Sequence, residues 1–207
     1  MAKKKPTEEK ILKSAQEIFH LKGFTGARMQ EIADKAKINK GLLHYYYKSK
    51  EKLFESVFNI ALKQMLGKLD TTLNEDIDLF TKIEKLVDGY ITVLSKNTFV
   101  PNFVFQEINR NPDFFVEKFK EFNSLEGIHK FEQQINNEIE KGTIKAINSK
   151  QLIINIISMS IFPFMARPMA MGILDLSEKD YDKLINERKK EVAEFTINAI
   201  RVIPITR

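Results

Sequence analysis

The sequence contains no cysteine among its 207 residues. Disulfide bridges and thiolate metal sites are therefore excluded. No convincing β-strand pattern, internal repeat or low-complexity linker is visible, so an all-α fold is predicted. There is also no Ser-His-Asp arrangement and no glycine-rich phosphate loop, which leaves no signature of nucleophilic or nucleotide-dependent catalysis.

One stretch is unusually poor in charge, because residues 152–174 contain a single charged side chain, that of Arg167. Its length would suffice for a membrane span. Asn155, Ser158 and two prolines lie within it, so a buried helix followed by a proline-broken segment is the better interpretation. The N-terminus does not resemble a secretory signal either, since an amphipathic segment with several glutamates follows its first lysines. We therefore expect a cytoplasmic protein without a membrane partner.

Positive charge is concentrated at the N-terminal end. The net charge is +5, and the first 50 residues carry 12 lysines and arginines against five acidic residues, whereas the remainder is slightly acidic. Such an excess at one end is typical of proteins that bind an anionic polymer. A lysine-rich helix face can also be merely solvated, so the charge distribution alone leaves both interpretations open.

Residues 28–50 predict two short helices joined by a tight turn. Small Ala33 in the first helix would allow a second helix to cross closely. Asn39 is suited to cap the second helix, because its side-chain oxygen can accept a backbone N–H near the helix start. Leu43 and Tyr47 are four residues apart and would anchor one face of that helix to a core. The opposite face would carry tyrosines and lysines, an arrangement that suits contact with a large anionic partner.

This segment resembles the helix-turn-helix motif of the TetR family of bacterial transcriptional regulators. The resemblance extends over about residues 7–56 and rests on Ile32-Ala33, Lys40-Gly41, the cluster Leu43-His44-Tyr45-Tyr46-Tyr47, and Ser49-Lys50. The sequence departs from the family pattern at His44 and at Arg28-Met29, which affects base specificity and not the fold. The resemblance implies a three-helix DNA-binding domain, residues 1–49, followed by a larger helical domain for effector binding and dimerisation, residues 50–207.

The predicted DNA contacts lie in or beside this motif. They are Arg28, Met29, Gln30, Asn39, Lys40, Gly41, His44, Tyr45, Tyr46, Lys48 and Lys50. Tyr45 and Lys48 are expected to position phosphates, and Lys40, His44 and Arg28 to reach base edges. A cation such as Lys50 is disfavoured at a helix N-terminus unless a phosphate binds both its ammonium and the free N–H groups. The resemblance assigns Lys50 this phosphate contact.

The resemblance also implies a homodimer, a double-stranded DNA operator and a small effector, with repression as the usual mode of action. The final helix and the helix that begins near Ser149 would form the dimer interface. Many phenylalanines and methionines after residue 90 favour a mostly apolar or amphipathic effector, although the same residues could simply fill a core. The predicted lining is Tyr90, Phe103, Phe115, Phe119, His129, Met159, Phe162 and Arg167. Arg110 or Arg167 would anchor a carboxylate if the effector carries one.

Two other functions remain open. One is a DNA-binding adaptor with a solid core that is controlled by a protein partner. The other is enzymatic and rests on two Glu-x-x-His spacings, Glu17 with His20 and Glu126 with His129, because such pairs occur in di-iron helical bundles. Glu17 and His20 fall on the polar side of their helix, Gly127 lies within the second pair, and no bridging glutamates stand out. We therefore expect no enzyme, metal or other cofactor.

Helical spacing of apolar residues predicts the remaining elements. The expected helices run from Thr7 to Gly23, from Ser49 to about Leu66, from Asp76 to Ser95, between Pro101 and Pro112, from Ser149 to Met165, and from Ser177 to about Val202. A longer helical region is expected from Asp113 to Lys141, broken or kinked near Gly127. Residues 152–165 are apolar on almost every side, so a central position is expected for them.

Overall fold

The computed structural model describes residues 6–96, 100–121 and 124–202, without the side chains of residues 115, 124 and 125. The helices are α1 (Pro6–Gly26), α2 (Met29–Ala36), α3 (Lys40–Tyr46), α4 (Lys50–Leu73), α5 (Leu79–Lys96), α6 (Val100–Arg110), α7 (Pro112–Glu121), α8 (Ser124–Glu140), α9 (Ser149–Met165), α10 (Arg167–Ile173) and α11 (Glu178–Ile200). Within these ranges, extended backbone pairs only in an isolated antiparallel bridge between Ile144 and Arg201. The predicted all-α fold is confirmed.

The first helix buries the predicted apolar stripe, including Ile11, Ala15 and Phe19. Gly23 interrupts its helical conformation with φ 64°, a left-handed value that glycine adopts without steric cost. The chain therefore leaves the regular helix at the predicted residue. α1 then contacts α2 and α4, which closes the small N-terminal bundle.

Helix α4 continues past its predicted end at Leu66 to Leu73. Its additional turns are retained because Leu73 is buried and because the Lys82 ammonium donates to the Leu73 carbonyl at 3.3 Å. A cation at this position also complements the negative end of the helix dipole. Helix α5 begins later than predicted, at Leu79, since the Asp78 carboxylate accepts the Thr81 N–H at 3.0 Å and caps the first turn.

The helical region predicted for residues 113–141 consists of two helices, α7 and α8, so the predicted interruption is confirmed. Its predicted position is wrong, because Gly127 lies inside α8. A Cβ atom at this position would lie 3.0 Å from the Cβ atom of Leu73. The absence of a side chain at Gly127 therefore serves the close approach of α8 to α4.

Helix α9 is capped by Asn148 and not by Ser149, because the Asn148 side chain accepts the Gln151 N–H at 3.1 Å. It contacts five other helices, α5, α6, α8, α10 and α11, as its predicted central position requires. One side is nevertheless open in the single chain, since Ile154 and Phe162 are 56% and 52% exposed. The predicted start of α11 at Ser177 is confirmed, since the Ser177 hydroxyl oxygen accepts the Asp180 N–H at 3.2 Å and caps the helix.

Helix α4 joins the two parts of the chain. It contacts α1 of the N-terminal bundle and also α5, α6 and α8 of the larger part. Helix α5 in turn packs on α9 and α11. One continuous cluster of buried residues therefore extends from Ile11 to Ile200. Both predicted domains pack their apolar residues against α4.

No single helix in the described ranges combines the length and apolar character of a membrane span. The pair α9 and α10 meets the length and composition criteria together, but the two helices are bent by 80° at their junction.

Candidate nucleic-acid interface

The turn between α2 and α3 is formed by local backbone hydrogen bonds. Lys37 adopts a left-handed conformation with φ 56°, and its N–H donates to the Asp34 carbonyl at 3.0 Å. The Ile38 N–H donates to the Ala33 carbonyl at 3.0 Å. These bonds satisfy the free carbonyls at the end of α2 and set the direction in which α3 begins.

The start of α3 is fixed by Asn39. Its side-chain oxygen accepts the Leu42 N–H at 2.7 Å, as the sequence predicts. Gly41 follows within the first turn, where a Cβ atom would lie 3.3 Å from that same Asn39 oxygen. A larger residue at position 41 would therefore crowd the Asn39 side-chain oxygen, which must stay in place to accept the Leu42 N–H.

The inner face of α3 is anchored by two residues four positions apart. Leu43 is fully buried, and Tyr47 is 8% exposed. The Tyr47 hydroxyl donates to the Glu8 carboxylate in α1 at 3.3 Å. Burial raises the pKa of the Tyr47 phenol well above its ordinary value, and the nearby Glu8 charge acts in the same direction. The phenol consequently remains a hydrogen-bond donor, and α3 is held against α1.

Two exposed ion pairs connect α1 to α2. The Lys35 ammonium lies 2.7 Å from the Glu17 carboxylate, and the Lys22 ammonium lies 2.7 Å from that of Glu31. Each lysine lowers the pKa of its partner carboxyl group, chiefly through the hydrogen bond. Such exposed pairs contribute little to stability, but they neutralise lysines that would otherwise add to the basic surface.

The outer face of α3 presents cationic and aromatic side chains to solvent. Tyr45 is 78% exposed, and its ring meets that of Tyr46 edge-to-face with centroids 5.6 Å apart. The predicted contacts exposed to solvent are Arg28, Gln30, Asn39, Lys40, Gly41, His44, Tyr45 and Lys48, while Met29, Tyr46 and Lys50 are partly buried. The Gln30 amide donates to the Asp34 carboxylate at 2.8 Å.

Lys50, at the start of α4, has two partners within the protein. Its ammonium donates to the Ala27 carbonyl at 3.2 Å and lies 4.5 Å from the centroid of the Phe24 ring. The cation therefore supports the segment between α1 and α2, and its phosphate contact stays a prediction.

A small cavity of about 20 Å³ lies in the larger part of the chain, among α4, α5, α8 and α9. Leucine and isoleucine side chains form most of its wall, together with Tyr90, Phe131 and Ser160. The Ser160 hydroxyl donates to the Ile156 carbonyl at 2.8 Å. Of the side chains that the structure describes, the Tyr90 phenol is the only ionisable group lining this cavity, so the described wall is almost entirely apolar.

Among the predicted effector residues whose side chains the structure describes, only Tyr90 lines this cavity. Phe103 instead packs against Phe54, with ring centroids 5.4 Å apart. Phe119 and Met159 are partly buried but lie outside the cavity wall, Phe162 and His129 are exposed, and the Phe115 side chain lies outside the described residues.

Neither arginine proposed as a carboxylate anchor lines the cavity. Arg167 pairs with the Glu178 carboxylate and lies 5.0 Å from the Tyr181 ring centroid. Arg110 pairs with Glu107. The prediction gave weight to aromatic residues and overlooked Ile153, Ile156, Ile157 and Ser160, whose i, i+3, i+4, i+7 spacing marks one face of α9.

The two Glu-x-x-His spacings are occupied by ion pairs. Besides the Glu17 pair with Lys35, the Glu126 carboxylate lies 2.8 Å from the Lys130 ammonium. Among the described residues, no group of three or more histidine, aspartate or glutamate side chains is arranged to hold a metal ion.

Comparison with known proteins identifies the N-terminal segment. The profile described as "Bacterial regulatory proteins, tetR family" matches residues 11–57. The HTH-type transcriptional repressor NicS of Pseudomonas putida is 49% identical over 51 residues, which cover 25% of this chain and 24% of NicS. This chain thus aligns with only about a quarter of that relative's length, so the sequence likeness concerns the helix-turn-helix region.

Solved structures share the fold of most of the chain. A putative fatty acid metabolism regulator of Clostridium perfringens superposes with a TM-score of 0.68 at 22% identity, over 94% of this chain and 100% of that one. FadR from Bacillus subtilis, solved in complex with stearoyl-CoA, gives a TM-score of 0.62 at 17% identity, over 90% and 97% of the two chains. Residues 11–57 thus match the helix-turn-helix profile of the tetR family of bacterial regulatory proteins, and most of the chain shares the helical fold of these two solved structures.

Proposed function

We propose that the protein is a transcriptional regulator that binds double-stranded DNA as a homodimer. One observation carries this proposal: buried Leu43 and Tyr47 hold α3 against the N-terminal bundle, so that Lys40, His44 and Tyr45 extend into solvent from its other face. A short helix presented in this way can enter a major groove, while neighbouring cations bind phosphates. NicS is named a repressor, and we extend that mode of action to this protein as part of the proposal.

The direct test is selection of bound fragments from a random-sequence DNA pool with the purified protein. A dimer with two α3 helices should enrich an inverted repeat whose half-sites are about 34–36 Å apart, one helical turn of DNA. Recovery of unrelated fragments with no common half-site would contradict the proposed sequence-specific binding.

His44 and Lys48 should affect DNA binding in different ways. His44→Ala is expected to relax base preference at one position of each half-site, because His44 is assigned to a base edge. Lys48→Ala is expected to weaken binding to all sequences alike and to reduce the slope of log K against log salt by about 1 per site, since one phosphate contact is lost. Titrations of the selected duplex and a scrambled duplex at several salt concentrations measure both effects. Unchanged base preference in the first variant, or an unchanged salt slope in the second, would remove that residue from the interface.

The proposed dimer interface consists of the exposed apolar sides of α9 and α11. Ile154 and Phe162 on α9 and Phe195 on α11 are each more than half exposed in the single chain. The two helices lie side by side, because the Arg188 side chain of α11 donates to the Met159 carbonyl of α9 at 2.9 Å. Large apolar side chains clustered on neighbouring helices are typical of an interaction site, and a second copy of the chain would cover them.

We further propose that the effector is a mostly apolar compound such as a long acyl chain. The cavity wall supports this class, since it combines aliphatic side chains with only a phenol and a hydroxyl as polar groups. With about 20 Å³ of space, the cavity must expand to receive such a chain, and the helices around it would have to separate. Because α4 is one of them and begins beside the DNA-binding motif, its displacement would change the spacing of the two α3 helices.

A thermal-shift screen with fatty acids and acyl-CoA esters, followed by DNA titration, tests the effector proposal. An effector that binds the form with the wrong helix spacing more tightly by about 1.4 kcal/mol lowers DNA affinity tenfold. A compound that stabilises the protein but leaves DNA affinity unchanged would contradict the α4 mechanism. If no compound stabilises it, the small volume of the cavity favours the second candidate function, a DNA-binding adaptor controlled by a protein partner.

A further inference from the structure

A cluster of five side chains joins the N-terminal bundle to the larger part of the chain. We refer to Phe24, Lys50, Phe54, Glu107 and Arg110 as the junction cluster. Phe24 follows the break in α1, Lys50 and Phe54 lie in the first two turns of α4, and Glu107 and Arg110 end α6. The ring centroids of Phe24 and Phe54 are 5.0 Å apart. A cleft beside these rings also reaches Lys22 and Gln106, so the cluster lies at the boundary between the two parts.

Arg110 is held in a defined orientation by Glu107. Its Nε and Nη2 atoms donate to the two oxygens of the Glu107 carboxylate at 2.7 and 2.6 Å. Glu107 is only 3% exposed, so its carboxylate has little contact with water. The two hydrogen bonds from Arg110 therefore satisfy this carboxylate and hold both side chains in place. The hydrogen bonds that it donates to the Glu107 carboxylate raise the pKa of the Arg110 guanidinium above its ordinary value. Arg110 is therefore charged near neutral pH.

The paired guanidinium lies close to two aromatic rings. Its Cζ atom is 4.7 Å from the Phe24 centroid and 5.7 Å from the Phe54 centroid. The Lys50 ammonium lies 4.5 Å from the same Phe24 centroid. Phe24 thus receives one cation from the DNA-binding side of the junction and one from α6, and both lie within the distance at which cation–π attraction is significant.

Phe24 is connected through Lys50 and Ala27 to Arg28, one of the predicted DNA contacts. The Lys50 ammonium also donates to the Ala27 carbonyl, and Arg28 is the N-cap of α2. The position of the Phe24 ring therefore affects where Lys50 can lie, and Lys50 fixes the backbone immediately before Arg28. On the other side, α6 packs on α9, which lines the cavity.

We propose that Arg110 is a positioning residue for DNA binding, which acts through Phe24 and Lys50 on the segment that begins α2. The inference rests on the proposed DNA-binding function. It adds a second connection between the N-terminal bundle and the larger part of the chain, which runs through α6 and α1 and is separate from the one provided by α4. Arg110 contacts no DNA in this arrangement. Its loss changes affinity because residues 24–28 are no longer held in the conformation that presents Arg28.

The first experiment is a titration of the duplex selected by the wild-type protein. Arg110→Gln is expected to lower affinity between about twofold and thirtyfold, the range of one cation–π contact, without changing the salt slope, since no phosphate contact is removed. Phe24→Leu keeps an apolar side chain and the intact Arg110–Glu107 pair, and the same loss is expected. Phe24→Tyr retains an aromatic face and should bind nearly as the wild type does.

The double variant separates positioning from general destabilisation. If Arg110 acts through Phe24, the double variant, with Arg110→Gln and Phe24→Leu, should bind DNA no more weakly than the weaker-binding single variant. Both substitutions would then interrupt the same connection, so their effects on affinity should not add. Lys120→Gln removes a positive charge from an exposed position on α7, outside the cluster, and serves as the matched control for net charge. Additive losses, or equal losses in Lys120→Gln, would overturn the proposal.

The second experiment needs no DNA. Hydrogen exchange of the amides of residues 24–28 should be faster in Arg110→Gln and in Phe24→Leu than in the wild type, while exchange in α5 and α11 is unchanged. Unchanged exchange in residues 24–28 would overturn the positioning role, even if DNA affinity fell. If the wild-type protein selects no DNA but exchange responds as expected, the proposed function fails while the connection between Arg110 and residues 24–28 stands.

Discussion

Phe195→Glu is expected to convert the proposed homodimer into a monomer and to lower the affinity for an inverted-repeat duplex by about 10²–10⁴-fold. Phe195 is 67% exposed on α11 and lies in the proposed interface with the apolar side of α9. In a dimer it would be buried, so a glutamate there would lose its hydration without gaining a partner. The large effect on DNA follows because two linked α3 helices bind as one unit, whereas a monomer binds each half-site separately.

Light scattering and sedimentation measure the oligomeric state, and titrations with full-site and half-site duplexes measure the loss of linked binding. Asn186→Glu is the matched control, because it introduces the same charge at an exposed position of α11 that is about 180° around the helix from Phe195. The control should remain dimeric. A Phe195→Glu protein that stays dimeric at micromolar concentration would contradict the α9–α11 interface.

Leu43→Ala is expected to destabilise the N-terminal bundle by about 2–5 kcal/mol and to abolish detectable DNA binding. Leu43 has no exposed surface, and it provides the apolar contact that fixes the inner face of α3. Its truncation leaves a cavity between α3 and the bundle, so Lys40 and His44 lose their defined orientation. Because a marginally stable small bundle cannot absorb such a loss, α3 should unfold locally before the larger part does.

Leu42 supplies the matched control, since it is the neighbouring leucine and is 36% exposed. Leu42→Ala should change stability by no more than about 0.5 kcal/mol. Hydrogen exchange resolves the two parts of the chain, and protection in α5 and α11 should persist in both variants. If Leu43→Ala reduces protection from hydrogen exchange equally in α1 and α11, the chain unfolds as one cooperative unit. The two predicted domains, divided between residues 49 and 50, would then not unfold independently.

The aromatic residues show why this boundary is in question. Phe54 of α4 contacts the rings of Phe19 and Phe24 in the N-terminal bundle, with centroids 5.0 Å away in each case. It also contacts Phe103 of α6. These rings form a continuous apolar connection, so a displacement in α6 is transmitted by direct packing contacts to the segment before α2. A regulator that must transfer a signal between an effector and DNA benefits from such rigid contact.

Interactions between residues close in sequence determine where several helices begin and end and which of their faces are buried. For these features the sequence alone was sufficient. Asn39 and Ser177 cap helices because a short polar side chain can reach a backbone N–H three residues later. Gly23 ends regular helix because its combination of φ 64° and ψ −179° is open to glycine and almost closed to residues with a side chain. The burial of Leu43 and Tyr47 and the exposure of Tyr45 likewise follow from helical periodicity within a single short element.

Tertiary packing decided the features that depend on residues distant in sequence. Gly127 lies at a close approach to Leu73 and not at a kink, since the approach exists only once α8 packs on α4. Lys50 bonds to the Ala27 carbonyl, a partner that the linear sequence does not place beside it. The cavity is bounded by four helices, and composition cannot reveal which side chains of four separate segments converge. Local rules act over one or two helical turns, whereas a site between helices is set by how their faces meet.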